Sequence, residues 1–265
     1  MSAAISSLDH VVVLAADHDA AIASYAALLG AEPVSSEVEE GVATTVFATA
    51  NIAVELMSPL GAGARADRVR AALADGEGIK SLVFGTHDVA AMHRRASRVG
   101  LEPGEIVEGR GQKNFRLADA KLGGVRLFVL QRELGLRAPP EAGVLGLDHI
   151  VVRTGDAERA AANYGARLGL DMRLDREVRG RRLMFFRCGD SIVEIAHEPG
   201  LERDALWGLS WRVRNADAAR ARLSAAGFDV SEVRVGAKPG TRVFTVRNRA
   251  CGVPTLMLEL SPAGD

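Results

Sequence analysis

Apolar and polar positions follow one order four times along this chain. Leu8 to Leu14 is an apolar run rich in β-branched residues and reads as a strand. Asp17 then offers a helix start, and an alanine-rich amphipathic stretch runs on to a stop at Gly30. "EPVSSEV", "VATTVFAT" and "IAVELM" follow as strands. "KSLVFGTHDVAAMHRRASRVGLEP" begins the order again, with a strand, a helix from Val89 to Val99 and a stop at Gly100, and the unit closes at "GGVRLFVLQ". After residue 145 the same order returns. Its strands are "LDHIVV", "MRLDREV", "RLMFFRC" and "SIVEIA"; then "LSWRVRNADAARARLSAAGFDV" supplies a strand and a helix stopping at Gly227, and "GVPTLMLEL" closes the chain. The pattern predicts an α+β protein of four βαβββ units in two pairs.

The halves are copies. At an offset of 139, Leu8 to Gly30 and Leu147 to Gly169 agree at twelve of twenty-three positions, among them Asp17 with Asp156 and Tyr25 with Tyr164. The same offset carries "AVEL" around Glu55 onto "IVEI" around Glu194, so His10 and His149 each recur with a glutamate. "RELGLRAPPEAG" breaks every periodic pattern at Pro139-Pro140. This predicts one domain over residues 1–133, a linker over 134–144 and a second domain over 145–265.

Composition narrows the function classes. With 48% hydrophobic and 25% charged residues and a net charge of −1, the chain has no electrostatic pull toward nucleic acid or an anionic membrane. No apolar run approaches 18 residues and the N-terminus lacks a signal pattern, so a cytoplasmic protein is expected. Cys188 and Cys251 have no CxxC spacing, which argues against a thiolate metal site and fits a reducing compartment. The expected partner is a small molecule, bound by a monomer or homodimer.

"LDHVVVLAADHDAAIASYAALLG", "IAVELMSPL" and "ADGEGIKSLVFGTHDV" in the first half, with "LDHIVVRTGDAERAAANYGARLGL", "RLMFFRCGDSIVEIAHEP" and "GVPTLMLEL" in the second, resemble the vicinal oxygen chelate superfamily. That superfamily includes glyoxalase I, methylmalonyl-CoA epimerase, extradiol dioxygenases and bleomycin-resistance-type binding proteins. The resemblance covers nearly the whole chain and implies two tandem glyoxalase-like domains with cupped mixed sheets. It also implies a divalent metal held from the first, fourth, fifth and last strands. Carried over by position, the ligands correspond to His10, Glu55 and Gln131 in the first half and to His149, Glu194 and Glu259 in the second. With cups built across the halves, the sets become His10, Glu55, Glu259 and His149, Glu194, Gln131. The fifth-strand histidine of the family falls on Ser81 and Gly208, where this chain departs from it.

Strand alternation puts Glu259 with Thr255 and Met257, opposite Leu256, Leu258 and Leu260. The triple-leucine face is expected to pack on the helices, so Glu259 is expected to point into the cup. Glu55 lies opposite Val54 and Leu56, and Glu194 opposite Val193 and Ile195. Carboxylates in an apolar cup need something cationic or hydrogen-bonding to balance them. A Zn²⁺, Fe²⁺, Mn²⁺, Ni²⁺ or Co²⁺ ion is one candidate; an arginine from "REVRGRRLMFFRC" is the other, although a solvated charged strand is the plainer reading of that run. "GAGARAD" is expected to be a connection, His87 and His93 to lie in solvent, His197 to sit at a rim, and Trp207 and Trp211 to fill space.

Three functions follow from the resemblance. The first is a metal-assisted lyase or isomerase acting on a small oxygenated metabolite, with Glu194 and Glu259 as metal-bound carboxylates, one of them the base. The second is a binding protein of the resistance type, without turnover. The third is an extradiol dioxygenase, for which Gly208 removes one histidine of the triad.

Overall fold

The computed structural model describes residues 5–109, 111–132 and 143–260, so most of the expected linker lies outside the described residues. The first half contains β1 (Ile5–Leu14), α1 (His18–Leu29), β2 (Ser35–Glu39), β3 (Val42–Ala48), β4 (Ala53–Pro59), α2 (Ala64–Leu73), β5 (Gly78–Thr86), α3 (Val89–Arg98), β6 (Val107–Gly109), β7 (Gln112–Arg116) and β8 (Leu127–Arg132). The second contains β9 (Val144–Thr154), α4 (Ala157–Ala161), β10 (Asp171–Val178), β11 (Arg181–Cys188), β12 (Ser191–His197), β13 (Ala205–Val213), α5 (Ala216–Ala225), β14 (Arg234–Val235), β15 (Thr241–Ala250) and β16 (Val253–Leu260). Each half forms one curled, mixed eight-stranded sheet, ordered β2-β3-β4-β1-β5-β8-β7-β6 and β10-β11-β12-β9-β13-β16-β15-β14.

Four helix starts use one device. Asp17, Asp88, Asp156 and Asn215 each accept the amide of the residue three further on, at 2.8–3.0 Å. This satisfies a donor that the first helical turn leaves free. Gly30 ends α1 at φ 65°, in the left-handed region, with its amide on the Ala26 carbonyl. After α4 the backbone continues as a π-helical turn over Ala162–Arg167.

The chain divides into two compact units, each drawing on both halves. The first comprises Met1–Val11, Lys80–Leu136 and His149–Trp207; the second comprises Val12–Ile79, Arg137–Asp148 and Gly208–Asp265.

In the first unit, Tyr164 packs on Phe186 with ring centroids 6.2 Å apart, so the helix-facing side of the sheet carries Phe186, Val193, Ile195, Ile150 and Val152, all buried. In the second unit, Tyr25 packs on Phe47 and His18 contacts Ser58 at 3.1 Å, which marks Val54, Leu56 and Ser58 as helix-facing. The opposite side of that unit holds a different cluster, in which Leu14 and Val42 are buried beneath Ala66 and Val69 of α2, with Val12, Met57 and Leu73 at its margin. The expected connection "GAGARAD" therefore runs into a helix. Ala66, Val69 and Leu73 form a stripe at spacings of three and four, and tertiary burial of that stripe outweighs a sequence with no side-chain cap at Gly63.

Candidate functional site

The two histidines of the repeat meet different surroundings. His10 is 8% exposed and its Nδ1–H donates to Asp9 Oδ1 at 2.6 Å. Arg132 donates to both oxygens of the same carboxylate at 2.7–3.1 Å, and its NH2 lies 3.4 Å from His10 Nδ1. Burial alone would raise the Asp9 pKa, but the bonds from His10 and Arg132 outweigh it and hold the carboxyl at about 2. The guanidinium beside His10 comes from β8 and neutralises Asp9, not the glutamates that the sequence reading sought to balance. Glu55 falls in the other unit, on the side of β4 opposite Val54 and Leu56.

His149 and Glu194 belong to one unit and are brought together. β12 pairs in parallel with β9, matching Ile192 to His149 and Glu194 to Val151. Both functional side chains point away from the helix-facing side, and His149 Nε2 lies 3.5 Å from Glu194 Oε2 with 17% and 15% of the side chains exposed. Phe185 is paired with Glu194 across β11 and Leu183 with Ala196, so the pair sits on a partly exposed apolar surface. Farther along β9, Arg153 stands over the Trp207 ring at 5.5 Å and pairs with Glu198.

Glu259 falls in the other unit, and its contacts there correct the sequence reading. On one side of β16, Thr255 and Met257 are buried and matched through the β13 register to the buried Leu209 and Trp211, and Glu259 is matched to Val213. Glu259 continues that side, accepts the Ala216 amide at the start of α5 at 2.7 Å and lies 3.3 Å from Arg242. The leucine face is not uniformly core: Leu258 is buried, but Leu260 is 44% exposed. Gln131 repeats the arrangement, accepting the Val89 amide at the start of α3 at 2.9 Å. Both last-strand candidates thus serve the positive end of a helix, whether the sets are drawn within or across the halves.

The fifth strands add no donor. Ser81 alternates with the buried Leu82 and Phe84, which pair with β8. At Gly208 a Cβ would come within 3.0 Å of the Pro254 carbonyl oxygen, so a longer side chain there requires backbone adjustment. Among the described residues, no group of three His, Cys, Asp or Glu side chains is placed to hold a metal ion. A resident divalent ion normally takes at least three protein donors, and this donor set does not fit one.

Of the remaining candidates, Trp211 fills the core at 0% exposed, whereas Trp207 is 39% exposed. His93 does not simply face solvent: it packs edge-on against Phe115 at 5.1 Å and meets the Gly104 carbonyl at 3.0 Å. Within the arginine-rich run, Arg182 pairs with Asp175 and Glu158 at the surface. Arg132 and Arg153 were missed by sequence reasoning. The signal was present for Arg153, which lies four residues beyond His149 on one strand and replaces Leu14 of the first copy.

Comparison with known proteins agrees with this architecture. Residues 8–136 match the family described as "Glyoxalase-like domain", and residues 148–245 match "Glyoxalase/Bleomycin resistance protein/Dioxygenase superfamily". A search of curated proteins found no match. Among solved structures, a mutant 4-hydroxymandelate synthase from Streptomyces coelicolor superposes with a TM-score of 0.77 at 15% identity, covering 99% of this chain and 94% of that one. BphC, a halotolerant catechol dioxygenase, gives 0.70 at 15% identity over 97% and 88%. The Mn(II)-bound glyoxalase from Novosphingobium aromaticivorans gives 0.71 at 17% identity over 97% and 82%. At these identities the likeness is one of fold. With two such domains in tandem, the chain belongs to the vicinal oxygen chelate superfamily of glyoxalase-like proteins.

Proposed function

We propose that the chain binds a small oxygenated metabolite on the C-terminal sheet face around His149 and Glu194, without a resident metal. The observation that carries this reading is the pair itself: an imidazole and a carboxylate 3.5 Å apart on a partly exposed apolar surface. A neutral imidazole offers one donor and one acceptor and the carboxylate is an acceptor, so the pair suits a ligand hydroxyl or carbonyl. Leu183, Phe185 and Val151 supply the apolar wall. The N-terminal copy of the face is filled by α2 and its histidine is tied to Asp9, which leaves the C-terminal copy as the working site.

Titration calorimetry with small phenols and hydroxy acids tests the reading. Binding weakened by His149→Ala but not by His10→Ala supports it; equal loss in both variants contradicts it.

The closeness of His149 and Glu194 also favours a second reading, a metal-assisted lyase or isomerase. There His149 and Glu194 would supply two donors to a divalent ion and the ligand's own oxygens the remainder, and the ion would supply Lewis-acid polarisation of a bound oxygen. Stoichiometric metal retained by the purified protein and lost in His149→Ala would select this reading over the first.

A further inference from the structure

Arg153 shares a strand face with His149, two alternations away, so their backbones are about 13 Å apart. Its guanidinium has two partners. It stacks over the Trp207 indole at 5.5 Å, and its Nε donates to Glu198 Oε2 at 2.5 Å while the NH2 group donates to the other carboxylate oxygen. That paired geometry is the one a guanidinium uses for any carboxylate. Glu198 lies at the surface, where Arg153 holds its pKa below the ordinary value, and an ion pair so placed is readily exchanged.

Trp207, at 39% exposed, presents an unusually large ring beside this charge. Between the polar ends, Val151 occupies the intervening position on β9, with Ala196 and Phe185 on the strands beside it. In the N-terminal copy Leu14 replaces Arg153 and is buried in the α2 cluster, so the charged end is particular to the C-terminal copy.

We infer that the ligand is an elongated, planar carboxylic acid with a hydroxyl or carbonyl at its far end. Its carboxylate takes Arg153 from Glu198, its body lies over Val151 and Phe185 beside Trp207, and its far oxygen meets His149 and Glu194. Glu198 is a placeholder that competes with the ligand. The inference rests on the binding reading above and adds the charge and length of what is bound.

The probes are 4-hydroxycinnamate and its neutral amide, followed by quenching of Trp207 fluorescence, with Trp207→Phe as the control for signal from Trp211. The wild type is expected to bind the acid about tenfold more tightly than the amide, a difference of about 1.4 kcal/mol. Arg153→Met should erase that preference, and Glu198→Gln should tighten the acid severalfold while leaving the amide unchanged. Equal binding of acid and amide to the wild type, or weaker acid binding by Glu198→Gln, overturns the inference. If both probes bind equally and His149→Ala weakens both, only the charge assignment falls. If neither binds, or His149→Ala affects neither, the binding site itself is wrong and the inference falls with it.

Discussion

In the N-terminal half, Val12, Leu14, Val42 and Met57 gather beneath α2; at the same positions of the repeat the C-terminal half has Val151, Arg153, Arg181 and Ala196. The difference begins in chain length. Residues 60–77 separate β4 from β5 and hold a ten-residue helix, whereas residues 198–204 separate β12 from β13 and are too few for one. Side-chain chemistry follows: the face with a helix over it is aliphatic, and the other carries arginines and a histidine and glutamate whose side chains keep 17% and 15% of their surface exposed. A duplicated scaffold can thus keep its strand order and helix caps in both copies while turning one face into core and leaving the other polar and partly exposed.

The largest effect is expected where the N-terminal face is closed. Val69→Asp places an unpaired carboxylate in the α2 cluster and should cost about 3 kcal/mol or more in urea unfolding; a loss under about 0.5 kcal/mol, the range of surface changes, would mean that α2 does not close that face. Arg132→Met removes the bidentate partner of Asp9 and should cost about 2 kcal/mol, while Leu260→Met, at the matching place on β16, should be nearly neutral. Equal costs would erase the contrast between the two last strands. His149→Ala should weaken ligand binding by at least about tenfold, about 1.4 kcal/mol, with His10→Ala changing melting temperature but not affinity.

A smaller effect is expected from acid. Burial against Ser58 and Thr45 lowers the His18 pKa below 6.5. The unfolded chain therefore takes up its proton first, and stability is present above about pH 6.5 and falls below it, with a slope of at most about 1.4 kcal/mol per pH unit. Ala157 occupies the matching position in the second half. Thermal melts between pH 7 and 5 should show the fall, and His18→Gln should flatten it; an unchanged slope in the variant would remove His18 as the cause. Asp9 acts in a separate window, its contribution being present above about pH 4 and lost as pH falls toward 2.

Much of this fold was legible in the sequence because repetition doubles every signal. Asp17 and Asp156 both start helices, and the β-branched runs before them are the strands β1 and β9. Alternation separated the two sides of each strand correctly but carried no information on which side is inward. The leucines of β16 looked like the helix-facing core, so Glu259 was turned the wrong way; Thr255 and Met257, less conspicuous in sequence, are buried on the side that Glu259 continues. The helix α2 was hidden because Gly61 and Gly63 announce a loop, and only its packing reveals why Ala66 and Val69 continue as helix. The pair His149 and Glu194 was visible as a repeated motif. Arg132 was not, because its role depends on a carboxylate 123 residues away.

On the proposed reading, the C-terminal face binds its ligand through His149, Glu194 and Arg153 without a resident ion. Elemental analysis of chelator-free protein, paired with binding of 4-hydroxycinnamate before and after EDTA, tests it most directly. Far less than one divalent ion per chain and an affinity unchanged by EDTA are expected. One ion per chain that is lost in His149→Ala, or binding abolished by EDTA and restored by Mn²⁺, would contradict it.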